Sequence, residues 1–283
     1  MIEFTLLNFL ALIAFGVFIG LLGSALGVGG GIFMVPFLVL ALKVPIHQAV
    51  AASLAAIVAT SSAVAAVNVE RGLTNIRLGI TFEVTAALGS LTGALVASRL
   101  PSGVLQLLFA LMLFPVSGLM FIKVRRGTRR QKVAEPAPAA AGSAFDSAFF
   151  DPAVGEHTPY AVRNLAPASF AAFFAGSLSG LLGIGGGIVH VPLMNLVCGV
   201  PMKAAAATSN FIIGVSAAAS AYVYFRKGMM PLELTGVIVT GVLIGSFAGI
   251  HALYRAKSEK LQLVFSALTL AVAVKMLMKA LGG

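Results

Sequence analysis

Apolar residues in this chain come in long uninterrupted runs, with neither the alternation of a half-buried strand nor the narrow stripe of a soluble helix. The first half contains runs over residues 4–26, 32–42, 50–67, 78–98 and 104–122. The second half contains runs over residues 167–182, 188–197, 204–225, 232–254 and 261–281. A helix needs about 20 apolar residues to cross a bilayer, so most of these runs are long enough and the second in each half is too short alone. The pattern predicts an all-α polytopic membrane protein of eight to ten hydrophobic segments, four to five in each half.

The junction between the first two runs of each half is distinctive. It reads Gly27-Val28-Gly29-Gly30-Gly31-Ile32 in the first half and Gly183-Ile184-Gly185-Gly186-Gly187-Ile188 in the second, with Pro36 and Pro192 at the same distance downstream. Each glycine costs a helix about 1 kcal/mol relative to alanine, so a triplet predicts a broken or re-entrant helix. The two junctions lie 156 positions apart, and that offset also pairs Pro45 with Pro201, Ser53 with Ser209, Gly89 with Gly245 and Lys123 with Lys279. The chain therefore divides into a first transmembrane repeat (1–123), a polar, Pro- and Ala-rich linker expected to be poorly ordered (124–165) and a second repeat (166–283). Short Gly/Pro-interrupted segments at matching places in two halves point to a transporter's binding site.

Composition narrows the class. With 59% apolar and 10% charged residues and a mean hydropathy of +1.02, the chain falls outside the soluble range. The net charge of +10 gathers in part at Lys123, Arg125, Arg126, Arg129, Arg130 and Lys132, directly after an apolar run. That placement marks a cytoplasmic linker and argues against nucleic acid. Counting Lys and Arg does not separate inverted from parallel repeats, because both arrangements place the same number inside. The single cysteine, Cys198, excludes an internal disulfide, and the four histidines lack metal-ligand spacing, so no metal or other cofactor is expected.

The two Gly-x-Gly-Gly-Gly runs, their downstream prolines, and Ala52-Ser53 with Thr208-Ser209 in register resemble the sulfite exporter TauE/SafE family. The resemblance spans both hydrophobic halves and leaves out the linker. It implies a secondary transporter, often an exporter, of small anions such as sulfite, sulfonates (sulfoacetate among them) or sulfur-containing carboxylates. It implies a bacterial cytoplasmic (inner) membrane as the location. The expected partners are the anion and the lipid bilayer; a homodimer is left open. A passive anion channel is the alternative, and a membrane enzyme has no catalytic constellation to support it.

The residues point to an anion site independently. A helix that restarts after a break presents unpaired N–H groups and a partial positive charge, which favours an anion without a cationic side chain. The expected substrate residues are Gly29, Gly30, Gly31 and Ser53 from the first half, and Gly185, Gly186, Gly187, His190, Thr208, Ser209 and Asn210 from the second. The competing reading makes these small residues helix-packing positions. Ionisable residues at membrane depth are functional candidates by default, which singles out Glu83, His190, His251 and Lys275. Glu83 and His190 are the candidates for proton coupling, although either would also serve as a polar residue bonded to a neighbouring helix. His251 and Lys275 read as snorkelling residues near helix ends.

Overall fold

The computed structural model describes residues 6–26, 29–126, 144–151, 156–253 and 270–280. The first half runs α1 (Leu6–Leu26), α2 (Gly31–Leu40), α3 (Ile46–Glu70), α4 (Ile76–Ala97) and α5 (Ser102–Arg126). The second runs α6 (Leu165–Leu182), α7 (Gly187–Pro192), a π-turn (Leu193–Val197), α8 (Met202–Arg226), α9 (Leu232–Leu253) and α10 (270–280). The architecture is the all-α polytopic one expected, and five of the described helices are long and apolar enough to cross a membrane. The 156-residue offset extends to element bounds, since α3 and α8 begin and end at corresponding positions, as do α4 and α9.

Helix α3 starts four residues and α8 two residues earlier than the apolar runs, because Pro45 and Pro201 occupy their N-cap positions with φ near −54°. A proline there fixes a helix-compatible φ and gives up an N–H that had no intrahelical partner. The polar first turns, with His47 and Lys203, are therefore helical although they are not apolar.

The halves interlock. Helix α1 packs against α9, α4 against α6, and α3 against α8. These crossings are built on glycine: a methyl group at Gly89 would lie 2.0 Å from the Phe173 carbonyl oxygen, and one at Gly245 would lie 2.0 Å from that of Val17. The offset maps the first of these contacts onto the second. The same holds for Gly176 against Ala86 and Gly20 against Val242. Small residues spaced by four let two backbones touch, which is how helices associate where lipid offers no hydrophobic drive.

Hydrogen bonds sort the connections between two ends of the bundle. At one end, Arg163 N–H donates to the Cys198 carbonyl at 3.0 Å, and Arg77 donates to the Ala144 carbonyl at 3.0 Å. At the other, His47 Nε2 donates to the Ala97 and Leu100 carbonyls, Lys227 Nζ to Ser98 Oγ and Lys279 Nζ to the Val39 carbonyl. We call these the linker end and the far end. Each broken pair of helices therefore returns to the end it left, and α3 runs antiparallel to α8. The halves run in opposite directions, the relation that charge counting left undecided.

Within the stretch expected to be a linker, residues 144–151 and 156–164 carry structure. Strands β1 (Ser147–Asp151) and β2 (Glu156–Tyr160) form an antiparallel hairpin with Ser147 opposite Tyr160. Phe149, Tyr160 and Val162 are buried in one cluster with Leu78 and Phe82 of α4 and with Met194 and Val200 of the second half. The polar, Pro- and Ala-rich composition of the stretch as a whole masks this short aromatic pattern. Residues 127–143, with Glu135 and Pro136, lie outside the described residues.

Candidate functional site

Both glycine triplets are buried in the middle of the bundle. Gly29 and Gly30 have φ of 78° and 75°, and Gly185 and Gly186 have φ of 85° and 69°. A residue with a Cβ pays about 1–2 kcal/mol to adopt this left-handed region, so the reversal selects glycine. Gly31 and Gly187 are the first residues of α2 and α7. After each reversal the chain folds back on the helix it left: Gly30 sits against Ile19, Gly186 against Ala175, and the Phe15 and Phe37 rings stack at 3.4 Å.

The two breaks meet at the axis between the halves. A methyl group on Gly29 would touch Ile57 of α3 and Ile213 of α8, which are paired by the offset. One on Gly31 would lie 2.3 Å from the Gly183 carbonyl oxygen and 2.9 Å from Ser53 Oγ. Ser53 Oγ donates to that same carbonyl at 2.7 Å. The start of α2 thus faces a carbonyl oxygen, which disfavours an anion there, and Ser53 spends its proton on joining the halves.

The second break carries different side chains. His190 is fully buried one turn into α7, where the offset places Met34 in the first half. Its Nδ1 lies 2.9 Å from the Gly186 carbonyl. A carbonyl only accepts, so Nδ1 carries the proton and the neutral ring presents its lone pair at Nε2. That Nε2 is buried without a hydrogen-bond partner among the described residues, as are Ser209 Oγ and Ser179 Oγ. Native interiors satisfy nearly all buried polar groups, so exceptions call for an explanation. Two others occur away from the breaks, at Thr74 and Thr235.

The remaining candidates divide by position. Thr208 accepts from the Asn75 N–H at 3.0 Å, so its hydroxyl oxygen is engaged at the linker end. Asn210 is buried on α8 beside Ser209. Glu83 is partly buried on α4, next to the fully buried Phe82. Lys275 is exposed on α10, beside an apolar cavity of about 310 Å³ whose walls include Phe15, Phe33 and Phe37. The side chain of His251 lies outside the described residues. Among the described residues no three His, Cys, Asp or Glu side chains group as metal ligands. Sequence reasoning passed over Ser179 and Asn75. Their signal was a polar residue opposite an inert one under the offset, Gly23 and Pro231 respectively.

The model of the sulfite exporter TauE/SafE family matches residues 12–276. The chain belongs to that family. The probable membrane transporter YunE of Bacillus subtilis is 29% identical over 251 residues, covering 86% of this chain and 88% of the relative. A probable membrane transporter of Xylella fastidiosa is 25% identical over 90% of each chain. Sulfite exporter TauE/SafE family protein 5 of Arabidopsis thaliana is 34% identical over 87 residues, 31% of this chain and 19% of the plant protein. No solved structure matches significantly. This TauE/SafE chain is an integral membrane protein of transporter type, with its two glycine runs buried in the bundle.

Proposed function

We propose that the protein is a secondary transporter exporting a small sulfur oxyanion, such as sulfite or a sulfonate, across a bacterial cytoplasmic membrane, with the linker end in the cytoplasm. The reading is carried by one observation: Ser179 Oγ, Ser209 Oγ and His190 Nε2 are buried polar atoms without hydrogen-bond partners among the described residues, and Ser179 and His190 flank the second glycine break. The reading is supported by the offset, under which Ser53 beside Gly31 corresponds to Ser209 and Gly187, and by Ser179, which precedes the same break by one turn. The substrate oxygens accept from the two hydroxyls and from the N–H groups that open α7.

A bare anion in this setting is expensive, since transfer of an uncompensated charge to a low-dielectric interior costs several kcal/mol or more. A proton taken up with the anion removes that cost. It goes to Nε2 of His190, because Nδ1 already holds a proton against Gly186, and the resulting imidazolium donates to a substrate oxygen. Glu83, on the helix that packs against α6 and α8, relays the proton toward one end. Transport is then electroneutral, one proton with one monovalent anion.

The test is exchange in proteoliposomes against a panel of sulfite, sulfoacetate, thiosulfate and a carboxylate, with and without a proton gradient. A sulfur oxyanion should show counterflow, and the gradient should accelerate net movement. Flux without counterflow would make the protein a passive channel, and flux of no anion would remove the reading.

A further inference from the structure

We propose that Asn75, Thr208 and the β1–β2 hairpin form a latch that holds the linker end of the bundle shut, so that the substrate-free protein opens preferentially at its far end. The inference rests on the transporter reading above in one respect, that the bundle opens alternately at its two ends.

Asn75 is buried in the short connection between α3 and α4, and all its polar groups are engaged. Its N–H donates to Thr208 Oγ1 at 3.0 Å, its carbonyl accepts from Gly79 N–H, and its Oδ1 caps α4 by accepting from Leu78 N–H. Its Nδ2 donates to the Phe145 carbonyl at 2.9 Å and to Tyr160 Oη at 3.2 Å. One side chain and its own peptide therefore join the first half, the second half and the hairpin. Arg77 adds a bond to the Ala144 carbonyl, and Phe149 and Tyr160 bury their rings against both halves. Burial pushes the Tyr160 phenol above its ordinary range, with its hydrogen bonds to Asn75 and Ser147 opposing, so the ring stays neutral in this apolar seat.

Among the described residues the far end has no counterpart of this buried cluster; its own bonds between the halves come from two lysines, Lys227 Nζ to Ser98 Oγ at an exposed position and Lys279 Nζ to the Val39 carbonyl. The offset pairs Asn75 with Pro231 and Thr208 with Ala52. Proline has no N–H to donate and alanine no hydroxyl to accept, so an equivalent of the Asn75–Thr208 bond is chemically impossible there. Among the described residues there is one such hairpin. The packing is unequal in the same sense: Phe211 of α8 presses its ring on Gly79 toward the linker end, whereas its partner under the offset, Ala55, lines a cavity of about 300 Å³ with Ala218, Tyr222 and Met230 of the second half. Two antiparallel halves that exchange conformations would otherwise open either end at similar cost. A buried cluster at the linker end, set against the two lysine contacts at the far end, makes the two states unequal, and the populations follow that difference.

Two variants take the latch apart without removing the α4 cap: Thr208→Val keeps the shape and deletes the acceptor, and Tyr160→Phe deletes the hydroxyl that Asn75 reaches. Each is combined with Cys198→Ala and one reporter, Ala205→Cys toward the linker end or Ala55→Cys toward the far end. The full-length protein in nanodiscs, without substrate, is labelled with a water-soluble maleimide, and its melting temperature is measured in parallel. The latch predicts that the linker-end reporter labels about 2- to 12-fold faster in either variant, the range set by one hydrogen bond of ordinary strength, while the far-end reporter slows. Unchanged linker-end labelling in both variants would overturn the latch. Acceleration of both reporters with a lower melting temperature would also overturn it, because that is general loosening. The labelling needs no substrate, so a shift in a protein that binds none of the panel anions would leave the latch standing and the transport reading refuted.

Discussion

Ser53 and Gly183 are 130 positions apart, yet the Ser53 hydroxyl donates to the Gly183 carbonyl at 2.7 Å and so fixes α3 of the first half to the break in the second. Ser209, its partner under the 156-residue offset, is equally buried and has no such bond among the described residues. The residue that the offset pairs with Gly183 is Gly27, which lies outside the described residues. Ser53→Ala leaves a buried carbonyl unsatisfied and should cost about 1–3 kcal/mol. A lower melting temperature, with anion affinity in the folded fraction unchanged, is the expected result. Lost affinity at unchanged stability would place Ser53 in the site.

The glycine crossings and the glycine breaks should fail in different ways. At Gly89 and Gly245 a methyl group meets a backbone carbonyl that cannot turn away, so Gly89→Ala and Gly245→Ala should destabilise by about 1–3 kcal/mol or more through forced separation of the helices. At Gly186 the new methyl meets the His190 ring at 3.0 Å and the left-handed backbone is strained by about 1–2 kcal/mol. Gly186→Ala should therefore displace His190 and reduce anion affinity in a protein that still purifies as a compact species. Thermal melting and affinity on the same preparations separate the two classes.

Glu83→Gln keeps the hydrogen-bonding shape of the side chain and removes its exchangeable charge. The variant is expected to slow transport driven by a proton gradient about tenfold or more while substrate counterflow falls much less. Equal loss in both assays would leave Glu83 a structural residue of α4.

The linker can be cut, but the place matters. Separate expression of the halves with the break near Glu135 keeps the hairpin attached to the second half and should restore transport. A break after Asp151 divides β1 from β2 and should lower the melting temperature and the assembled yield. Equal recovery from the two cuts would mean that the hairpin contributes nothing to the fold.

Much of this arrangement was legible in the sequence because the duplication is ungapped. The offset that aligned Pro45 with Pro201 in the text of the chain also aligns the starts of α3 and α8 in space. The glycine triplets announced the breaks through propensity alone. What stayed hidden depends on contacts between distant residues. Nothing local says that Ser53 bonds to Gly183, that Thr208 turns to Asn75, or that α7 returns to the end where α6 began. The direction of the halves was hidden for the same reason, since Arg163 against Cys198 and Lys279 against Val39 are tertiary bonds that a charge count does not contain.

The central claim is that the anion binds at the second break, on Ser179, Ser209 and His190. It is tested most directly by anion affinity measured in detergent for Ser209→Ala, with Ser53→Ala as the paired control and melting temperature recorded for each. Removing a buried hydroxyl that has no partner among the described residues should leave stability unchanged or slightly higher, and removing a donor to a charged oxygen should weaken binding by about 1.5–3 kcal/mol, roughly 10- to 150-fold. The account predicts that weakening in Ser209→Ala without a fall in melting temperature, and the opposite pattern in Ser53→Ala. Wild-type affinity in a stable Ser209→Ala protein would contradict it.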